Sequence, residues 1–309
     1  MSADRTTISI APDGANELFA TAIEAGGGTV VPLGPDSRGL VWVGHHDPDG
    51  LRAAIAAAPA LDWVQLPSAG IEDFVREGLL DPSVTWTSAK GAYAKPVAEH
   101  ALTLALAVLR HIPERARASS WGRQKGTSLH GLSVVVLGAG GIAQELLALL
   151  APFGVTTTVV RRSAEPLAGA DRTVTTAELD AELVGADIVF LAAALTDGTS
   201  DLIGERQLAI LKPGAVIVNV ARGGLIDTAA LVAALESGHL GGAGLDVTAP
   251  EPLPDGHPLW SAPHVLITPH SADTPEMIRP LLAERVTTNT RRFIAGDALV
   301  GRVDPGLGY

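Results

Sequence analysis

The 309-residue chain contains no cysteine. That absence excludes a disulfide scaffold, a thiol nucleophile and cysteine-ligated zinc or iron–sulfur centres. Positive charge is also in short supply: 22 Lys and Arg stand against 34 Asp and Glu, a formal net charge of −12. An acidic surface repels phosphate backbones, so no nucleic-acid partner is expected. Only 4 of the 22 basic residues are lysine, a bias read as base composition and not function. The segment Met1–Pro12 lacks a basic start followed by an apolar core, so no signal peptide is expected and the reading is cytoplasmic. Uninterrupted apolar runs are missing too. From Leu132 to Val160 the only charge is Glu145, but Gly138, Gly140, Gly141, Pro152 and Gly154 cut the stretch into pieces too short to span a membrane. Those pieces read as strand, helix and strand inside an α/β domain.

With 47 % hydrophobic and 18 % charged residues the composition is that of a globular protein, and the length suits two domains. The first ninety residues alternate strands (Thr7–Ile10, Leu40–Val43, Leu61–Gln65) with helices (Asn16–Glu24, Leu51–Ala58, Ile71–Glu77). That rhythm predicts a parallel sheet with crossover helices. A long helix is expected over Val97–Arg117, opened by Pro96 and kinked or interrupted at Pro113. A second β-α series follows: strands at Ser133–Leu137, Thr156–Val160, Asp187–Ala193, Ala215–Val220, Gly242–Val247 and Val265–Thr268. Thr175 and Glu178 have capping-box spacing, Asp227 caps Thr228–Ser237, and Thr274-Pro275 opens a last long helix.

Gly138-Ala139-Gly140-Gly141-Ile142-Ala143 follows a strand and opens a helix. The first glycine permits the tight turn, and the second lets a pyrophosphate approach the backbone. Ala143 takes the third place, where a small side chain is needed for helix–strand packing. Amides at a helix N-terminus then hold phosphate, so Gly138, Gly140, Gly141 and Ile142 are candidate cofactor contacts. An NAD-binding unit carries an acidic residue at the end of the second strand to bond the ribose 2′-OH. Here that strand ends in Arg161-Arg162-Ser163. Two guanidiniums and a hydroxyl suit a 2′-phosphate, which favours NADP(H) while leaving NAD(H) admissible. Downstream, Arg222, Asp246 with Glu251, and His270 fall at three successive strand ends. Singly each has an ordinary structural explanation. Together, after a nucleotide loop, they read as a catalytic set at the carboxyl edge of a sheet.

In these motifs the chain resembles the D-isomer-specific 2-hydroxyacid dehydrogenases, which include glyoxylate/hydroxypyruvate reductases, phosphoglycerate dehydrogenases and D-lactate dehydrogenases. The resemblance runs through Trp63–Gly70, Gly91–His100, Leu211–Gly214, the Arg222 segment, Gly244–Val247 with Glu251–Leu253, and Thr268–His270. It implies two Rossmann-like or flavodoxin-like parallel-sheet domains with the active site in a cleft. Residues 1–94 with 275–309 would form a mobile substrate domain, and 95–274 the dinucleotide-binding domain. It also implies roles. His270 would protonate the 2-oxo oxygen as hydride arrives, and Glu251 would stabilise the charged imidazole. Arg222 would hold the substrate carboxylate and polarise the carbonyl. The amides of Ala69 and Gly70 would take the other carboxylate oxygen, Asp246 would orient the nicotinamide amide, and Thr199 would lie near the cofactor. A homodimer is implied as well.

The resulting expectation is a reductase that takes a small 2-oxo acid such as glyoxylate or hydroxypyruvate to the D-2-hydroxy acid with NADPH. The alternatives are a phosphoglycerate or D-lactate dehydrogenase using NAD, or, from another class, a dinucleotide-sensing protein akin to the family's transcriptional corepressors. The stop at Tyr309 leaves no regulatory domain like those of some phosphoglycerate dehydrogenases and weighs against the first. Asp273 stands where glycine is common, and is read either as solvent-facing or as altering substrate charge preference. Tyr93 and Trp260 are read as pocket lining or packing, and His100 as structural. No metal is expected: His45-His46 with Asp47 and Asp49 reads as a solvated loop.

Overall fold

A computed structural model describes residues 6–12 and 16–304. The first and last five residues of the expected substrate domain, and 13–15, lie outside the described residues. The chain divides into two compact units, with breaks at Tyr93/Ala94 and Asp273/Thr274; the stretch from Thr274 onward rejoins the first unit.

Among the described residues, the first unit holds five parallel strands: β1 (Thr7–Ala11), β2 (Thr29–Val30), β3 (Gly39–Trp42), β4 (Trp63–Gln65) and β5 (Thr85–Thr87). Their order across the sheet is β2-β1-β3-β4-β5, the flavodoxin-like arrangement. Helices α1 (Glu17–Ala25), α2 (Pro48–Ala57) and α3 (Glu72–Arg76) connect them. Leu40, Trp42, Leu51, Val64, Phe74 and Trp86 fill one core of this unit.

The second unit opens with α4 (Ala94–Leu109) and α5 (Ile112–Ala116). The interruption expected within Val97–Arg117 is present, and falls at Arg110 and His111. Pro113 has no amide to donate to the preceding turn, so it falls within the first turn of a new helix, and His111 between the two helices takes a left-handed φ of +52°. The strands are β6 (Ser133–Leu137), β7 (Thr156–Arg161), β8 (Arg172–Thr175), β9 (Ile188–Leu191), β10 (Val216–Asn219), β11 (Gly242–Leu245) and β12 (Val265–Ile267). The connecting helices are α6 (Gly141–Leu150), α7 (Leu179–Leu183), α8 (Glu205–Ile210) and α9 (Thr228–Glu236). The order β12-β11-β10-β9-β6-β7-β8, parallel throughout, is the doubly wound dinucleotide-binding arrangement extended by one strand. Strands buried on both faces, such as Val134–Leu137 and Ile188–Leu191, read as unbroken apolar runs for that reason.

Helix α4 packs directly against β11 at glycines. A Cβ on Gly244 would stand 2.8 Å from Leu104 Cβ, and one on Gly242 would stand 2.6 Å from Val108 Cγ1. In the first unit, α10 (Pro275–Ala295) lies on α1, where Thr287 Oγ1 donates to Ala22 O at 3.1 Å. Buried Asn289 donates to Gln65 Oε1 and Val300 O, each at 2.9 Å, which fixes the returning chain to the sheet.

Candidate active site

Because all seven strands of the second unit run the same way, the residues that follow them share one edge of the sheet. The glycine turn lies at the reversal of strand order, between β6 and β9. Gly138 has φ +112°, and a Cβ there would stand 2.4 Å from Ala192 O just beyond β9, so only glycine fits. At Gly140 a Cβ would meet nothing within 4 Å, and this residue precedes α6 with no side-chain cap on its amides. Open space in front of an uncapped helix N-terminus fits a pyrophosphate, and the fully buried Ala143 closes helix on strand behind it.

At the end of β7, Arg161 donates to Glu165 O at 3.3 Å, and its guanidinium lies 4.0 Å from the Glu165 carboxylate. Arg162 and Ser163 follow, both exposed. Thr199 is tied into the loop after β9, donating to Ala194 O at 2.8 Å and accepting from Thr196 N at 2.7 Å.

Beyond β10, buried Asn219 clasps the next turn. Its Nδ2 donates to Arg222 O at 2.9 Å and its Oδ1 accepts from Ala221 N at 3.0 Å. This poses Arg222 in extended conformation ahead of Gly223. Beyond β11 and β12, His270 Nδ1 meets Glu251 Oε1 at 2.5 Å, with both side chains nearly half exposed. The second imidazole nitrogen, Nε2, is thereby fixed in direction.

What fixes His270 itself is Asp246. Only 2 % exposed, it takes Thr268 Oγ1 at 2.5 Å and Ser271 N at 2.9 Å on one oxygen, and Ala272 N at 3.1 Å on the other. Since the Thr268 hydroxyl donates to Asp246, His100 Nε2, 2.9 Å away, must donate to Thr268. Burial works against the charged carboxylate, but these hydrogen bonds outweigh it and hold the Asp246 pKa below its ordinary value. Asp246 is thus committed to the turn that carries His270, whose own amide donates to Asp246 O at 2.8 Å. The motifs do not announce the roles of Thr268 and His100. These two lie 168 residues apart, with no local signal joining them.

Asp273 is half-buried and lies in the field of His270, Asp246 and Arg222. Burial pushes its pKa up from the ordinary value, His270 and Arg222 pull it down, and Asp246 adds to the rise. Trp260 is half exposed, donating to Pro254 O at 2.9 Å. Ala69 and Gly70 belong to the other unit, in the loop after β4, where Ser68 Oγ donates to Gly70 O at 2.7 Å. Buried Tyr93 donates to Pro67 O and so braces this loop. His46 is exposed and pairs with Asp73 at 2.7 Å, whereas Asp47 caps α2.

The family model described as "D-isomer specific 2-hydroxyacid dehydrogenase, NAD binding domain" matches residues 102–272. The chain belongs to the D-isomer-specific 2-hydroxyacid dehydrogenases. It is an NAD(P)-dependent oxidoreductase. A D-3-phosphoglycerate dehydrogenase of Mycobacterium tuberculosis is 33 % identical over 304 residues, 91 % of this chain; the match spans 57 % of the longer relative. A glyoxylate/hydroxypyruvate reductase B of Pectobacterium carotovorum is 31 % identical over 80 % of each chain. Among solved structures, a D-isomer specific 2-hydroxyacid dehydrogenase of Xanthobacter autotrophicus Py2 in complex with NADPH and MES superposes with a TM-score of 0.82. It has 30 % identity and covers 99 % of this dehydrogenase and all of that chain. Among the described residues no helix is long and apolar enough to cross a membrane.

Proposed function

We propose that this dehydrogenase reduces a small, unphosphorylated 2-oxo acid of the glyoxylate or hydroxypyruvate type to the D-2-hydroxy acid, using NADPH in preference to NADH. The observation that carries the reading is the 2.5 Å His270–Glu251 pair on the same sheet edge as Arg222. A bound nicotinamide would supply the hydride. The chain's own residues do the rest. Glu251 holds the imidazole through Nδ1, so His270 presents Nε2 as the proton donor to the 2-oxo oxygen. Arg222, posed by Asn219, holds the substrate carboxylate and stabilises the negative charge that develops on the carbonyl. Asp246, Thr268 and His100 act as positioning residues. Gly138, Gly140, Gly141 and Ile142 would hold the pyrophosphate, with Thr199 beside it. Arg161, Arg162 and Ser163 would receive the 2′-phosphate; the NADPH complex of the Xanthobacter relative supports this preference.

The second reading, a phosphoglycerate dehydrogenase, is favoured by the mycobacterial relative. Asp273 weighs against it, because a carboxylate in the field of Arg222 repels the extra charge of a phosphorylated substrate. A cytoplasmic homodimer belongs to the same proposal. The test follows nicotinamide absorbance with glyoxylate, hydroxypyruvate and phosphohydroxypyruvate, each with NADPH and NADH. The expected result is turnover of the first two with NADPH ahead, and a loss of roughly 10²–10⁴-fold in His270→Ala with cofactor affinity retained. Unchanged turnover in that variant removes His270 from the chemistry.

A further inference from the structure

His111 and His264 are 153 residues apart in sequence, yet their Nδ1 atoms lie 3.2 Å from one another. Glu114 Oε2 is 3.8 Å from each of them. The point equidistant from these three atoms is about 2.1 Å from each, the length of a zinc–nitrogen or zinc–carboxylate bond. We propose that His111, Glu114 and His264 form a binding site for a divalent transition-metal ion, with zinc as the best fit to two imidazoles and one carboxylate. The imidazole rings meet edge-on at 79°, with centroids 4.6 Å apart. That is closer than an in-line N–H···N bond would place them, so the Nδ1–Nδ1 contact is not an in-line one.

The surrounding charges suit the assignment. Glu114 accepts a hydrogen bond from Lys125. Lys125 Nζ lies 3.3 Å from both carboxylate oxygens, so a metal on Oε2 displaces the ammonium toward Oε1. Two borderline nitrogen donors and one oxygen favour zinc over calcium or magnesium, which take oxygen ligands.

The cluster is distinct from the catalytic set. α4 runs antiparallel to β11, with His100 beside Asp246 at one end and Val108 against Gly242 at the other. His111 is eleven residues beyond His100, about 16 Å along a helix axis, at the opposite edge of the sheet. His264 immediately precedes β12, whose far end carries Thr268 and His270. A metal there ties the α4–α5 junction to the chain entering that strand, a brace on the register of the catalytic turn.

The experiment uses the full-length protein freed of metal by chelator. Zinc is titrated by calorimetry, and cobalt(II) by its visible absorption, into the wild type, His264→Ala and Glu114→Gln. The expected result is one zinc equivalent in the wild type that His264→Ala lacks and that Glu114→Gln binds at least about 10-fold more weakly. Zinc should raise the Tm of the wild type, by less that of Glu114→Gln and not at all that of His264→Ala, while both variants keep reductase activity. Glu114 is partly exposed, so its variant preserves the test if the histidine variant fails to fold. Equal stoichiometry and affinity in wild type and Glu114→Gln, or no zinc uptake by the wild type, overturns the assignment.

Discussion

Gly223 and Thr248 approach so closely that a Cβ on the glycine would stand 1.9 Å from the Thr248 carbonyl oxygen. Arg222 is the neighbour of one and Glu251 follows the other by three residues, so the two loops are fitted together through a missing side chain. Gly223→Ala should force one loop off the other. The expected cost is about 1–3 kcal/mol of stability and roughly 100-fold in turnover, the effect of displacing a reacting group by about 1 Å. Thermal unfolding and steady-state kinetics check this. Full turnover would mean that the loops are not rigidly coupled.

The cofactor preference rests on the end of β7. Replacing Arg161 and Arg162 together by alanine should weaken NADPH far more than NADH, because only the former carries the 2′-phosphate that two guanidiniums would bind. Fluorescence titration with both cofactors reads the ratio of dissociation constants. Equal weakening would return Arg161 to its role at Glu165 and leave the preference without a cause.

Much of this architecture is legible from apolar runs, and the strands that are not share a location. β2, β5 and β8 lie at the ends of the strand orders and are short: Thr85-Trp86-Thr87 and Arg172–Thr175 look like loop sequence. The site divides in the same way. Gly138, Arg222, Glu251 and His270 announce themselves because each abuts a strand with its own signature. His100 and Thr268 do not, because their meaning exists only once α4 lies on β11 and β12.

The Asp246 turn has a pH signature. In the folded protein its carboxyl lies below the ordinary value, so the unfolded chain binds that proton more tightly. The stability it contributes is fully present above the ordinary carboxylate range and is lost as pH falls through the folded value. Asp246→Asn should therefore flatten the acid limb of a Tm–pH curve and lower stability at neutral pH by about 1–3 kcal/mol, since one buried amide loses its acceptor. Turnover should fall with it, through displacement of His270. An unchanged acid limb would assign that slope to other carboxylates.

Asp273 carries the opposite sign and a functional consequence. Its folded pKa is raised, so the folded state binds the proton more tightly; its contribution is present below the ordinary carboxylate range and is lost as pH rises through the folded value. Asp273→Asn should accordingly be more stable than the wild type at neutral pH. In catalysis, removing a negative charge from the field of Arg222 should raise kcat/KM for phosphohydroxypyruvate relative to hydroxypyruvate by about 10-fold, the scale of one like-charge contact at intermediate dielectric. In the wild type that discrimination should relax on acidification, as the carboxyl takes up its proton, and in the asparagine variant it should stay flat. A ratio that is the same in both proteins, at every pH, would remove Asp273 from substrate selection and reopen the phosphoglycerate reading.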